Sequence, residues 1–143
     1  MVNRSLNHEF LRNHQFLSEL GITIEEESTG SVTLTLPHED RLTNPGNAVI
    51  QGGILATLVD HAGGAALRTT FDSRPAPFHA TTDLSVSYLR PPTSSLTATG
   101  TVLRTGGTMG VVRVTIVNVE NELVAEGRVS LAIRREQSMP GID

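Results

Sequence analysis

The 143-residue sequence predicts an α+β fold in which an antiparallel sheet curls around one central helix. One small-residue apolar stretch, GGILATLVDHAGGAALRTT from Gly52 to Thr70, has helical periodicity. Four alternating segments rich in Thr, Val, Ile and Leu follow it, and turn residues separate them.

The elements follow in order. Leu6, Phe10, Leu17 and Leu20 recur at roughly helical spacing, and Gly21 stands where a helix often ends, so one amphipathic helix is expected over Leu6 to Leu20. Ile22–Glu25 and Ser31–Pro37 alternate, with Val32, Leu34 and Leu36 on one face, and read as two strands joined around Thr29-Gly30. Glu25 to Glu27 reads as a solvated face. Arg41 to Gln51 (RLTNPGNAVIQ) predicts a loop.

In the helix that follows, Leu55, Leu58, Val59, Ala62, Ala65 and Ala66 set the period and small residues fill most other positions. Such a helix is buried on several sides. Gly63 and Gly64 each cost about 1 kcal/mol relative to Ala, tolerable where another backbone packs closely. A Pro-rich loop (Asp72 to Phe78) leads to strands at His79–Leu89, Leu96–Arg104, Gly110–Val119 and Leu123–Arg134. Turns are expected at Arg90–Pro92, Thr105–Gly107 and Glu120–Glu122, and a loose tail from Glu136. The length suits a single domain over 1–143, with the helix at about 6–20 and the core at about 22–135.

Composition narrows the function. A net charge of −4 and a pI near 5.7 offer no basic field for nucleic acid or an acidic membrane. Cysteine is absent, which excludes disulfides, thiolate nucleophiles and cysteine metal sites. Lysine is absent too, removing Schiff-base chemistry and the lysine of a Walker loop. No apolar run approaches the ~20 residues of a membrane span, and MVNRSLNHEFLRNHQ lacks the apolar stretch of a signal peptide. A soluble cytoplasmic protein is expected.

Asp60 interrupts an apolar run, where an unpaired buried charge would cost several kcal/mol or be neutralised. It is either a functional acid or an Asp on the one wet face of the helix. Gln51-Gly52-Gly53 precedes the same helix. Free N–H groups at a helix start suit a developing oxyanion, and glycine admits a carbonyl close to the backbone, although two glycines can simply end a loop. Eight residues of helix separate Gly52 from Asp60, about 12 Å. One small acyl group hardly touches both within one subunit, whereas a two-fold dimer would form two shared sites.

Other catalytic signatures are absent: no GxSxG elbow, HExxH helix, P-loop or dinucleotide fingerprint occurs. His8 and His14 are badly spaced to share a helix face, His38 and His79 stand alone, and His61 points about 100° from Asp60. The histidines read as structural or exposed, and no metal site is expected.

The stretch NPGNAVIQGGILATLVDHAGGAAL resembles the Asn…Gly…His-Gly-Gly…Leu-x-Asp segment of hotdog-fold thioesterases of the phenylacetate-degradation type. TTDLSVSYLRPP (Thr81 to Pro92) is similar to that family's next strand, and Gly100 to Ile133 resembles its last three, including Val-Ala-x-Gly at Val124–Gly127. The likeness runs from about Thr29 to Arg134. It implies a hotdog fold, a dimer with a continuous sheet, often a tetramer, and hydrolysis of acyl-CoA at the subunit interface with no cofactor beyond the CoA of the substrate. The Gly52 N–H would meet the thioester carbonyl, Asp60 would act as nucleophile or general base, and Thr81 would lie near the attacking water. Arg90 would meet the CoA phosphates or form a structural pair.

Two departures stand out. Gln51 replaces the family's histidine; it can hydrogen-bond but cannot exchange protons at neutral pH. The family's asparagine lies six residues before that position, whereas Asn44 lies seven before and Asn47 four before, with Asn44 preferred. The alternatives are a hotdog protein that binds acyl-CoA or another ligand without hydrolysis, and a hotdog dehydratase or hydratase. With aromatics at 3%, an aliphatic acyl tunnel is expected.

Overall fold

A computed structural model describes residues 5–142. Two short helices, α1 (Leu6–Asn13) and α2 (Gln15–Glu19), precede the hairpin of β1 (Thr23–Ser28) and β2 (Ser31–Leu36). The long helix α3 (Gly52–Arg68) follows, and then β3 (Pro77–Tyr88), β4 (Leu96–Thr105), β5 (Met109–Val117) and β6 (Leu123–Ser138). All six strands form one antiparallel sheet in the order β1-β2-β4-β5-β6-β3. After α3 the chain therefore starts a new edge at β3, and β4 to β6 fill the sheet behind it. No helix among the described residues is long and apolar enough to cross a membrane.

The period-2 pattern sorts the sheet into a helix-facing side and an outer side. Val32, Leu34 and Leu36 of β2, Val112, Val114 and Ile116 of β5, and Val129, Leu131 and Ile133 of β6 are buried on the helix side with Leu55, Leu58, Val59 and Ala62 of α3. Glycines let the two layers meet. Gly100, Val114 and Gly127 pair in register across β4, β5 and β6. A Cβ at Gly100 would lie 2.5 Å from the Ala62 carbonyl oxygen, and one at Gly127 2.6 Å from Val59 Cγ1. From the opposite side, a Cβ at Gly63 would lie 2.6 Å from Val129 Cγ2. Close packing thus accounts for Gly63 inside a helix, while Gly64 faces the side chain of Arg68 instead.

Three expectations need correction. The single helix over Leu6 to Leu20 is broken at His14, which is extended (φ −103°, ψ 96°) and caps α2 by accepting the Leu17 N–H at Nδ1. The tail from Glu136 is not loose. β6 runs on to Ser138 beside Pro77, the Met139 N–H donates to the Ala76 carbonyl, and Ile142 packs with Leu6 and Ala76. This also shortens the Pro-rich loop, since β3 begins at Pro77. Finally, Glu27 is not simply solvated: it accepts from Asn7 Nδ2 at 2.8 Å and lies 3.5 Å from His8.

Among the described residues, four polar side chains are buried: Asn7, His61, Arg68 and His79. Burial, with the Arg68 charge as a smaller contribution, pushes the His61 pKa down to about 3. Burial likewise brings His79 to about 4, partly opposed by its hydrogen bond to the Pro77 carbonyl. Both rings are therefore neutral in the native protein at pH 7.

Two measurements follow. A histidine with a folded pKa below its unfolded value of about 6.5 stabilises above that value, and the contribution is lost as pH falls toward the folded pKa. Urea unfolding at pH 7 and pH 5 is expected to show a loss of about 2 kcal/mol for each of the two rings, and His79→Gln should remove its share of the loss. Gly100→Ala places a methyl against the backbone of α3, which cannot yield locally; unfolding stability is expected to fall by about 2 kcal/mol.

Candidate active site

One face of α3, carrying Thr57, Asp60, Gly64 and Arg68 at helical spacing, forms a wall of a cavity of about 310 Å³. Phe10, His14, Phe16 and Leu17 of the α1–α2 segment cover it, and Ala80 and Thr81 of β3 close another side. The lining is richer in Phe and His than the expected aliphatic tunnel. Low aromatic content did not predict this because two of the chain's four phenylalanines are concentrated here.

Asp60 projects into this space, and the Thr81 hydroxyl donates to its Oδ1 at 2.6 Å. A helix residue and an edge-strand residue 21 positions apart are thereby joined. The pairing of β3 with β6 shifts register between Thr81 and Asp83. Such irregularities re-aim a side chain without ending the strand. One carboxylate oxygen is thus fixed by a neutral donor, and the other remains available to a ligand or water.

The second part of the predicted site lies at the start of α3. Gln51 is the N-cap, and its Oε1 accepts from the Ile54 N–H at 3.2 Å. A Cβ at Gly53 would crowd that same oxygen at 2.8 Å. Gly52 is the first helical residue, where the N–H has no intrahelical acceptor. The Tyr88 hydroxyl donates to the Gly52 carbonyl at 2.7 Å, tying β3 to the helix start. Tyr88 is a contact that sequence reasoning missed; only its place in the Tyr-Leu-Arg-Pro run singled it out.

The preceding loop distinguishes the two asparagines. Asn47 Oδ1 accepts from the Val49 N–H, whereas the Asn44 side chain makes no hydrogen bond among the described residues. Arg90 pairs with Glu122 at 3.2 Å on the surface. Hydrogen bonds from Asn118 and then Arg90 hold the Glu122 carboxyl below its usual range.

Within one chain, Asp60 and Thr81 come together, but Gly52, Gln51 and Asn44 do not join them. Eight residues of α3 keep Gly52 and Asp60 about 12 Å apart along the helix. Sequence reasoning also missed Arg68. Its signal was present, a second charged residue on the face of an apolar helix that bears Asp60.

The matching family model is that of the thioesterase superfamily, over residues 47–125. That span holds Gly52, Asp60, Arg68, Thr81 and Tyr88. A Halobacterium salinarum protein assigned as an esterase is 39% identical, with 92% of this chain and 93% of that one covered. Among solved structures, a thioesterase of Haemophilus influenzae matches with a TM-score of 0.82 at 25% identity, covering 93% of this chain and 92% of that one. The E. coli PaaI protein of the phenylacetic acid degradation operon matches at 0.74 and 27% identity, over 87% and 92%. With a six-stranded sheet around one helix and this match over more than half its length, the chain belongs to the thioesterase superfamily, with the hotdog fold.

Proposed function

We propose that the chain hydrolyses an acyl-CoA thioester to the free acid and coenzyme A, with Asp60 as general base. The observation that carries this reading is the Thr81–Asp60 hydrogen bond at the wall of the cavity. Because Thr81 spends its proton on Asp60, its own lone pairs face outward. Carboxylate and hydroxyl together hold one water by its two hydrogens and leave its oxygen free to attack. The water oxygen bonds to the thioester carbon, and Asp60 takes the proton. The carbonyl oxygen gains charge against the Gly52 N–H, the C–S bond breaks, and the thiolate of CoA leaves and is reprotonated.

The separation of Gly52 from Asp60 supports a dimer in which each site draws these residues from different subunits. The edge strand supports it as well. β3 ends the sheet, and Leu84, Tyr88 and Leu89 on or just beyond it are 38, 53 and 51% exposed. A long apolar edge of this kind needs a partner, and a second β3 supplies one. Asn44, Gln51 and Arg90 would border the CoA side of such a site, and a tetramer would be a further pairing of dimers. Dehydration is less well supported, since Gln51 offers no proton-exchanging group.

In a thiol-release assay over an acyl-CoA panel, Asp60→Asn is expected to lose about 10²- to 10⁴-fold in kcat while remaining folded and oligomeric. An inactive wild type that still binds acyl-CoA would favour the binding-protein alternative. Gly52→Pro isolates the backbone donor. Proline is favoured at the first helical position, and Gln51 already has the extended backbone (φ −59°, ψ 134°) that a following proline requires. The variant is expected to fold normally and to lose about 10²- to 10³-fold in kcat. Light scattering should show the wild type to be at least a dimer.

A further inference from the structure

We propose that the inner end of the cavity reads a carboxylate at the far end of the acyl group, with Arg68 as the specificity-determining residue. The inference rests on the thioesterase reading and names its substrate class, thioesters of short dicarboxylic acids.

Arg68 lies at the end of α3, yet its side chain is buried and turned back along the helix. Gly64 makes room for it: a Cβ there would lie 3.1 Å from Nη1 and 3.5 Å from Nη2. The guanidinium therefore lies over Gly64, one turn or about 6 Å along the axis from Asp60. Three contacts hold it. Nε donates to Asn7 Oδ1 at 2.7 Å, Nη1 donates to His79 Nε2 at 3.1 Å, and the Phe10 ring lies 4.0 Å from Cζ. His79 presents Nδ1 to the Pro77 carbonyl at 2.9 Å, so its proton sits there and Nε2 is free to accept.

Nη2 is left over. Among the described residues only two buried side-chain polar atoms have no hydrogen-bond partner, Arg68 Nη2 and His61 Nε2, and both residues line this cavity. No carboxylate among the described residues forms an ion pair with Arg68. Its nearest balancing charges are indirect: Glu27, reached through Asn7 Nδ2, and Asp60. Burial lowers the Arg68 pKa to about 9, with Asp60 and Glu27 opposing the shift, so the group stays charged at neutral pH. His61 and His79 are neutral there and contribute no competing charge.

The cavity thus has an anionic catalytic end and a cationic inner end about one helical turn apart. An alkyl terminus would leave the Nη2 donors facing hydrocarbon. A carboxylate would accept from them in charge-assisted hydrogen bonds. With the reacting carbonyl beside Asp60, the spacing matches a short diacid chain.

The test compares adipoyl-CoA with hexanoyl-CoA, which share a chain length and differ in the terminal carboxylate. Succinyl and glutaryl thioesters are avoided because their own carboxylate closes on the thioester to give a cyclic anhydride. The wild type is expected to show kcat/KM at least about tenfold higher for adipoyl-CoA. Arg68→Met is expected to lower that ratio by about 10- to 100-fold, and Arg68→Lys to keep part of it. Equal use of both substrates, or preference for hexanoyl-CoA, overturns the proposal and leaves the thioesterase reading standing. So does an Arg68→Met variant in which both rates fall in parallel, which would make Arg68 a structural tie or a support for Asp60. If Arg68→Met does not fold, the wild-type ratio decides. A wild type that hydrolyses other members of the acyl-CoA panel but neither of these two also overturns the proposal; one that hydrolyses no member of the panel sinks the thioesterase reading. Equilibrium binding of the same two compounds then decides: adipoyl-CoA bound at least about tenfold tighter upholds the proposal, and equal affinity overturns it.

Discussion

The close seat of α3 on the sheet is the constraint on which the remaining structure depends. Helix and sheet meet through missing side chains: Gly100 and Gly127 on the strands, Gly63 on the helix. A helix held this near is buried along most of its circumference, so its few polar groups must lie along one seam or find partners. Asp60, Gly64 and Arg68 lie along that seam, and the cavity is the space left beside it. The site is therefore a product of the packing rather than an addition to it.

Much of this was legible in the sequence because the signals were periodic. The buried helix and the strand bodies follow from apolar spacing and turn residues, and Asp60 stood out as an acid where the pattern called for an apolar residue. The resemblance placed Thr81 only near the attacking water, and its hydrogen bond to Asp60 went unread, since a contact across 21 residues has no local signature. The break at His14 was missed because a cap through an imidazole leaves the apolar spacing on both sides nearly intact. The extension of β6 to Ser138 was missed for a related reason. RREQS has no apolar alternation, and it is held instead by backbone pairing to β3.

Arg68 shows a different limit. Composition treats an arginine near a helix C-terminus as favourable with the helix dipole and solvated. Here it is instead drawn inward by Asn7, His79 and Phe10, three residues from two other elements. Only tertiary structure brings them together. The same absence of locality explains why the two halves of the proposed catalytic machinery, Gly52 and Asp60, are visible separately in the sequence and remain apart in one chain.

The α1–α2 segment has a further meaning. It contributes Phe10, His14, Phe16 and Leu17 to the cavity, yet it precedes the sheet and donates no strand to it. Its attachment runs largely through Asn7, which bridges Arg68 and Glu27, and through the packing of Leu6, Leu11 and Leu17. One part of the cavity lining and the acid thus lie on separable stretches of chain, while Arg68 shares α3 with Asp60. A lineage could exchange this leading cover and acquire a new acyl preference while the helix, its acid and the strands behind it stayed as they are.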